Sequence, residues 1–295
     1  MRKMETNIAE YLKSLPKHEP VYYFPNPGNG GDSLIACATF QMLDELGLKY
    51  KLFLPSKHDP AGKTLICYPG GNFISRYPNT RNFLNQYHEI AKKIIIFPST
   101  IYGHEDLLAQ LGSNIDIFTR EKVSHDFVRK NAPRVNLFLS DDMAFFLDVQ
   151  KALRQIPVLF SSFTTMTIPS RRIQKGNLFE FQYFLENLNG DKDGKILNAF
   201  RTDQEKTNIE IPSGNLDIAE KFSYGTTKRR ATYAAYRLLK FLNQYDEIRT
   251  SRLHTCIAGA LLGKKVEFYP NNYFKCEAVY KFSIQDRFPN VKWMG

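Results

Sequence analysis

The segment Ile248-Arg249-Thr250-Ser251-Arg252-Leu253-His254-Thr255 sets a hydroxyl, a guanidinium and an imidazole within one short stretch. An imidazole donates or accepts a proton near neutral pH. An arginine beside a helix start favours an anion. The residues up to Thr250 read as a strand, and the small residues Cys256, Ala258, Gly259 and Ala260 read as a helix. Ser251, Arg252 and His254 would therefore gather at a helix N-terminus. A capped helix with a satisfied core histidine fits the same pattern. Farther on, Tyr269-Pro270-Asn271-Asn272-Tyr273-Phe274-Lys275 brings a lysine to the turn after the next strand. In a parallel sheet that turn shares an edge with His254, so Lys275 is either a second anion contact or a solvated loop lysine.

Five other segments carry groups of interest. Asn26-Pro27-Gly28-Asn29-Gly30-Gly31-Asp32-Ser33 lies between a strand and a helix. Gly30 and Gly31 would let backbone N–H groups face a ligand beside the positive helix end. The segment is not GxGxxG, because Ser33 holds the third glycine's place, and no Lys-Ser/Thr follows to make a Walker loop. It reads either as a tight turn with Asp32 as helix N-cap or as a site with Asp32 as a catalytic or acceptor-binding carboxylate. Gly70 and Gly71, in Tyr68-Pro69-Gly70-Gly71-Asn72-Phe73, suit close ligand approach and an ordinary turn equally. Arg120 ends a strand in Ile117-Phe118-Thr119-Arg120-Glu121-Lys122-Val123-Ser124. It could fork onto a carboxylate or phosphate, or form a surface pair with an acidic neighbour. Arg201-Thr202-Asp203-Gln204-Glu205 follows a strand and could bind polar ligand groups. Asp141-Asp142 stands where carboxylates favour the start of a helix over 143–147. No His/Cys/carboxylate set has metal-ligand spacing, and no Gly-x-Ser-x-Gly elbow is present.

The elements that must position these groups alternate. Strands are predicted at 21–24, 50–54, 64–68, 93–97, 116–119, 135–139, 196–200, 247–250 and 265–268. Helices are predicted at 33–46, 82–91, 122–130, 228–242 and 254–262. The first helix would turn Ile35, Ala38, Met42 and Leu46 to one face, with Gly47 closing it. The helix over 228–242 would bury Ala231, Ala235, Leu238 and Leu242 and expose Arg230, Tyr233, Arg237 and Lys240. This is the βαβ rhythm of parallel sheets covered by helices. Pro157, Pro169, Gly176 and Gly190 interrupt it, which places a linker or crossover at 151–190 and a turn at 190–194. The expected fold is α/β: two Rossmann-like domains with parallel sheets in a GT-B-like arrangement, the active site in the cleft between them. An N-terminal domain at 1–150 would carry the Gly-rich loop on an acceptor side. A C-terminal domain at 151–295 would carry His254, with the boundary inside 150–195.

A chain of 295 residues at 43% hydrophobic and 24% charged suits such a two-domain globular fold and excludes a disordered or fibrous one. No apolar run is long enough to span a bilayer and no signal-peptide core follows Met1. The 4 cysteines (Cys37, Cys67, Cys256, Cys276) form no CxxC pair and read as reduced thiols in the cytoplasm. The net charge of +10 attracts anions: nucleic acid, anionic lipid or phosphorylated small molecules. The basic residues are spread, the densest group being Lys228-Arg229-Arg230, and no zinc-finger, RNP or heptad pattern points to nucleic acid.

In their order along the chain, these motifs resemble the polysaccharide pyruvyl transferase family over roughly residues 24–285. Gly28-Asn29-Gly30-Gly31-Asp32 matches its Gly-Asn-x-Gly-Asp motif. Gly70-Gly71 matches its later glycine-rich turn, with Asn72 where more glycine is usual. Arg120-Glu121-Lys122-Val123-Ser124 matches its Arg-Asp/Glu-x-x-Ser segment, and Asp141-Asp142 its Asp-rich segment. Ser251-Arg252-Leu253-His254 matches its Ser-Arg-x-His signature, and Tyr273-Phe274-Lys275 its Tyr-x-x-Lys, one residue shorter. The resemblance implies transfer of the carboxyvinyl unit of phosphoenolpyruvate (PEP) onto a sugar, giving a pyruvate ketal. PEP is the donor and no cofactor or metal is expected. The acceptor would be a lipid- or nucleotide-linked intermediate of capsule, exopolysaccharide or cell-wall synthesis. The location would be cytoplasmic, with peripheral contact to the inner membrane surface left open and no nucleic-acid partner.

In that chemistry His254 would be general acid or phosphate contact, Arg120 and Lys275 would clamp carboxylate and phosphate, and Asp32 would orient or deprotonate the acceptor. Arg252 would support the site, with Ser251, Gly30, Gly31, Gly70, Gly71 and Arg201 as further substrate contacts. The alternatives are a GT-B glycosyltransferase using a nucleotide sugar, and a non-enzymatic docking protein for anionic lipid or glycan that would use Lys228, Arg229, Arg230, Arg237 and Lys240.

Overall fold

Hydrophobic runs too continuous for a half-exposed strand mark the centre of the first sheet. Leu65–Ile66, Ile94–Phe97 and Ile115, Ile117 and Phe118 are all fully buried, as strands covered on both faces must be. The computed structural model describes residues 7–68, 70–154 and 195–295, and within them the chain is a mixed α/β protein whose sheets are parallel throughout. The predicted crossover at 151–190 and the turn at 190–194 lie largely outside the described residues.

The elements in order are α1 (Ile8–Lys13), β1 (Val21–Pro25), α2 (Gly30–Glu45), β2 (Tyr50–Leu52), β3 (Thr64–Tyr68), β4 (Phe73–Ile74), α3 (Asn79–Tyr87), β5 (Lys93–Ser99), β6 (Ile101–Tyr102), α4 (Glu105–Leu108), β7 (Ile115–Thr119), α5 (Lys122–Asn131), β8 (Asn136–Leu139), a 3-10 turn (Met143–Phe146) and α6 (Val149–Arg154). After the undescribed stretch come β9 (Ile196–Ala199), α7 (Ile218–Lys221), α8 (Lys228–Leu242), β10 (Glu247–Thr250), α9 (Leu253–Leu261), β11 (Lys265–Phe268), α10 (Lys275–Val279), a π-helical turn (Tyr280–Ile284) and β12 (Val291–Trp293).

The chain divides into two compact units. One comprises Met1–Asn26 and Thr39–Phe146, the other Pro27–Ala38 and Leu147–Gly295. The first holds a six-stranded sheet in the order β2-β1-β3-β5-β7-β8 and the small β4-β6 pair. At the amino ends of its strands, Asp116 receives Lys93 Nζ at 2.7 Å and Asn136 Nδ2 at 2.7 Å, together with the hydroxyl of Tyr11 from α1. The second holds a four-stranded sheet in the order β12-β11-β10-β9. Its α9 lies close to the sheet because position 259 is glycine: a Cβ there would meet Val266 at 2.9 Å and Ile248 at 3.0 Å.

The division departs from the expected 1–150 and 151–295 at one informative place. The Gly-rich turn and the first half of α2 group with the C-terminal half of the chain, because their partners are there. Ser223 donates to the Gly28 carbonyl at 3.2 Å, and Ser33 donates to the Gly225 carbonyl at 3.2 Å. Helix α2 is also not one-faced. Leu34 through Ala38, Phe40, Met42 and Leu43 are all buried, so its apolar residues run right round it. In α8 the expected inward face is buried as predicted, but Tyr233, expected on the polar face, is buried too, with its ring 5.0 Å from that of Tyr224.

Candidate functional site

The Gly-rich turn is a reciprocal helix cap. Pro25 ends β1, and Asn29 is the residue before the first helical position. Its side-chain Oδ1 accepts from the Gly31 N–H at 2.9 Å, while Asp32 Oδ2 reaches back to accept from the Asn29 N–H at 2.9 Å. This is the capping-box arrangement, with Asn29 as N-cap and Asp32 at the third helical position. It corrects the expectation that Asp32 itself is the N-cap. The expectation that this turn offers backbone N–H groups to a ligand is also revised for Gly31, whose N–H is held by Asn29.

His254 lies in the first turn of α9, half-buried, against this turn. A Cβ added to Gly31 would stand 2.5 Å from Nδ1 of His254 and 3.1 Å from its Cβ and Cγ. The strand β10 and the helix α9 meet at Ser251-Arg252 with no intervening loop, which is what brings the imidazole to the sheet edge. Ser251 is fully buried, and its Oγ accepts from the Arg201 N–H at 3.2 Å.

Beside these residues runs a chain of alternating charges. Lys275 donates to Glu205, which also accepts from Arg201 Nη1 at 2.6 Å. Arg201 holds Asp203 through Nε and Nη2, both at 2.8 Å. Asp203 lies 3.2 Å from Arg252 Nη1, and Arg252 in turn donates from Nε to Asp217 Oδ1 at 2.8 Å and from Nη2 to Oδ2. Glu220, 3.6 Å from Arg252, accepts from Asn29 Nδ2 at 3.2 Å and so joins the chain to the Gly-rich turn.

Three cations therefore face four carboxylates, so Lys275 and Arg252, expected to clamp or support an anionic donor, are each paired with acidic side chains. Lys275 is neither a solvated loop lysine nor an open anion contact. Its side chain is 8% exposed, paired with Glu205, and 5.0 Å from the Tyr273 ring centroid. Burial pushes the Asp203 carboxyl up, but the hydrogen bonds of Arg201 and the charges of Arg201 and Arg252 outweigh it and hold it at about 2. Burial lowers the Arg201 pKa, and Asp203 and Glu205 more than reverse this, leaving it above the ordinary value.

In the first unit, Arg120 ends β7 as predicted. It is not part of a surface pair with a neighbour in sequence. It is 1% exposed, donating to Asp142 Oδ2 at 2.6 Å and to Thr100 Oγ1 at 3.0 Å. Tyr68 donates to the same Asp142 oxygen at 3.0 Å. Asp142 Oδ1 accepts from the Ala144 N–H at 2.8 Å, so the Asp141-Asp142 pair does open a helical turn, of 3-10 type. Glu121 caps α5 by accepting from the Ser124 N–H at 2.9 Å; burial raises its pKa against that bond. Gly70, with a φ of 59°, accepts from Thr100 N–H at 3.2 Å and, with Gly71, leads from β3 to β4.

The structure thus brings Gly30, Gly31, Asp32, Arg201, Ser251, Arg252, His254 and Lys275 into one unit, and leaves Arg120, Gly70 and Gly71 in the other. Sequence reasoning passed over Asn29, Asp217, Glu220 and Tyr68. Asp217 carries a readable signal: it interrupts the apolar run Leu216–Ala219, and a carboxylate there needs a cationic partner. Among the described residues no three His, Cys or carboxylate side chains are placed to hold a metal ion, and no helix is long and apolar enough to cross a membrane.

Comparison with known proteins agrees with the order of the motifs. Residues 29–272 match the family model described as polysaccharide pyruvyl transferase. The chain is 25% identical over 296 residues to EpsO of Bacillus subtilis (strain 168), which is named as a pyruvyl transferase, covering 93% of this chain and 88% of that protein. It is also similar to the crystal structure of a functionally uncharacterized protein of Klebsiella pneumoniae subsp. pneumoniae NTUH-K2044, at 30% identity and a TM-score of 0.76, with both chains covered in full.

Proposed function

Because the chain belongs to the polysaccharide pyruvyl transferase family, we propose that it transfers the carboxyvinyl unit of phosphoenolpyruvate to two hydroxyls of a sugar in a glycan precursor, forming a cyclic ketal and releasing phosphate. The reaction needs a proton on C3 of the donor, which makes C2 electrophilic. One sugar hydroxyl adds to C2 and gives up its proton, the C2–O bond to phosphate breaks, and the second hydroxyl adds to the same carbon and gives up its own proton, closing the ring. Those steps call for a general acid, cations on the donor's anionic groups and a carboxylate near the acceptor.

The observation that carries this reading is the half-buried His254 at the start of α9, next to Arg252 and seated on Gly31. In our reading His254 protonates the donor. Arg201, Arg252 and Lys275 supply the positive charge, the donor's carboxylate and phosphate competing with Asp203 and Glu205 for them. Asp32 orients the acceptor hydroxyl, and Ser251 keeps Arg201 in register. Arg120 has the weaker claim, since Asp142 already holds its guanidinium. The parallel sheets support Rossmann-like units of the GT-B kind. A lipid- or nucleotide-linked acceptor of capsule, exopolysaccharide or cell-wall synthesis, met in the cytoplasm or at the inner membrane surface, completes the proposal. No metal or further cofactor enters it.

The test is phosphate release from PEP against a panel of lipid- and nucleotide-linked sugars. His254→Ala should lower turnover by about 10²–10⁴-fold with the fold intact; wild-type turnover in that variant removes His254 from the mechanism. A ligand that binds only the folded state raises Tm. PEP should do so here, and a shift with UDP- or GDP-sugars but none with PEP would favour a glycosyltransferase.

A further inference from the structure

Glycine is a poor helix former, so two consecutive glycines in the first turn of a helix call for a reason. Gly31 has no left-handed backbone to explain its identity, since it is an ordinary helical residue of α2. What explains it is space. Any Cβ at this position would enter the van der Waals envelope of His254, at 2.5 Å from Nδ1 and 3.1 Å from Cβ and Cγ. The contact involves the root of the histidine side chain as well as its ring, so a small swing of the ring would not relieve it. The N–H of Gly31 is meanwhile held by Asn29 Oδ1, and the same carboxamide donates to Glu220.

We propose that Gly31 and Asn29 are positioning residues for His254. The turn's task is to seat the imidazole, with Gly31 as the floor and the Asn29 carboxamide fixing the height of that floor. The inference rests on the reading of His254 as the proton donor, but its structural half stands apart from the choice of donor substrate.

The experiment has a part that needs no variant and no activity. In isotopically labelled wild-type protein, the Gly31 Hα protons should show strong NOEs to the His254 side chain, with His254→Asn used to assign the ring signals among the 6 histidines. Absence of those NOEs overturns the proposal. Gly31→Ala should fold, shift the His254 ring resonances, and lower kcat by about 10–100-fold with KM for the donor changed less than threefold. A folded Gly31→Ala with unshifted ring signals overturns it. Should Gly31→Ala fail to fold, the Asn29 pair decides. Asn29→Ala should shift the same resonances and lower kcat, while Asn29→Ser, which keeps a side-chain cap, should restore both; equal behaviour of the two overturns the assignment. If wild-type protein releases no phosphate from PEP but shows the NOEs and the Gly31→Ala ring shift, the donor reading fails and the seat remains.

Discussion

Glu205 and Lys275, 70 positions apart in the chain, meet as an ion pair with side-chain exposures of 3% and 8%. Glu205 also holds Arg201, so one buried carboxylate serves two cations. Removing a partner from a buried pair leaves a charge that neither water nor protein solvates, at a cost of about 3–5 kcal/mol. The two ends of this pair are not equivalent, because Lys275→Met leaves Glu205 paired with Arg201, whereas Glu205→Gln takes one carboxylate from two buried cations at once.

Glu205→Gln should therefore destabilise the protein more than Lys275→Met, with the former at about 3–5 kcal/mol. Urea denaturation of the two variants measures the difference. Equal losses would mean that the carboxylate is not shared as the geometry indicates.

Arg120 and Asp142 form the corresponding buried pair of the first unit, at 1% and 0% side-chain exposure. Asp142→Ala should cost about 3–5 kcal/mol by removing this carboxylate from the buried guanidinium. The double variant Arg120→Met/Asp142→Leu should recover most of that loss, since buried ion pairs are often replaceable by apolar groups of similar volume. A double-mutant cycle with no coupling between the two positions would contradict the contact.

Asp217 grips Arg252 through both carboxylate oxygens. Asp217→Asn keeps the shape and removes the charge. It should lower kcat/KM for the donor by about tenfold, the scale of a weakened charge-assisted hydrogen bond. Unchanged kinetics would release Arg252 from any part in donor recognition.

Asp203 gives the pH dependence. Its folded pKa of about 2 lies below the ordinary 3.8, so the ionised form is favoured in the folded state. The stabilisation is fully present above about pH 4 and fades as pH falls through the folded value. Asp203→Asn should lower Tm at neutral pH, and the gap to wild type should close between about pH 4 and 2. A gap that stays constant to pH 2 would show that Asp203 is not held by Arg201 and Arg252.

Most of the described strands and the longer helices were legible in the residues themselves, while the short helices Ile8–Lys13, Glu105–Leu108, Val149–Arg154, Ile218–Lys221 and Lys275–Val279 were not. Runs such as Ile94–Phe97 read as strands buried on both faces, and the small residues of Cys256–Ala260 as a helix pressed against a sheet, and the structure has both. Local order also placed Ser251, Arg252 and His254 at a helix start. Ends were less legible: α2 begins at Gly30 rather than near 33, because its cap depends on two side chains reaching across three residues. The short strands Phe73–Ile74, Ile101–Tyr102 and Val291–Trp293 carry too few residues for any period to show.

Which charges meet was decided by the tertiary structure alone. The types at 201, 203, 205, 217, 220, 252 and 275 are plain in the sequence, but whether an arginine faces a ligand or a carboxylate depends on the neighbours that the fold supplies. Pattern alone made Arg120 and Lys275 candidates for open cations; packing gave each a buried acidic partner. Likewise the motif at 28–32 announced a special turn, and only the approach of His254, more than 220 residues later in the chain, showed what a side chain at position 31 would meet. Periodicity is a local property that a strand or helix writes into its own residues. A pairing between distant side chains leaves no such trace in either one.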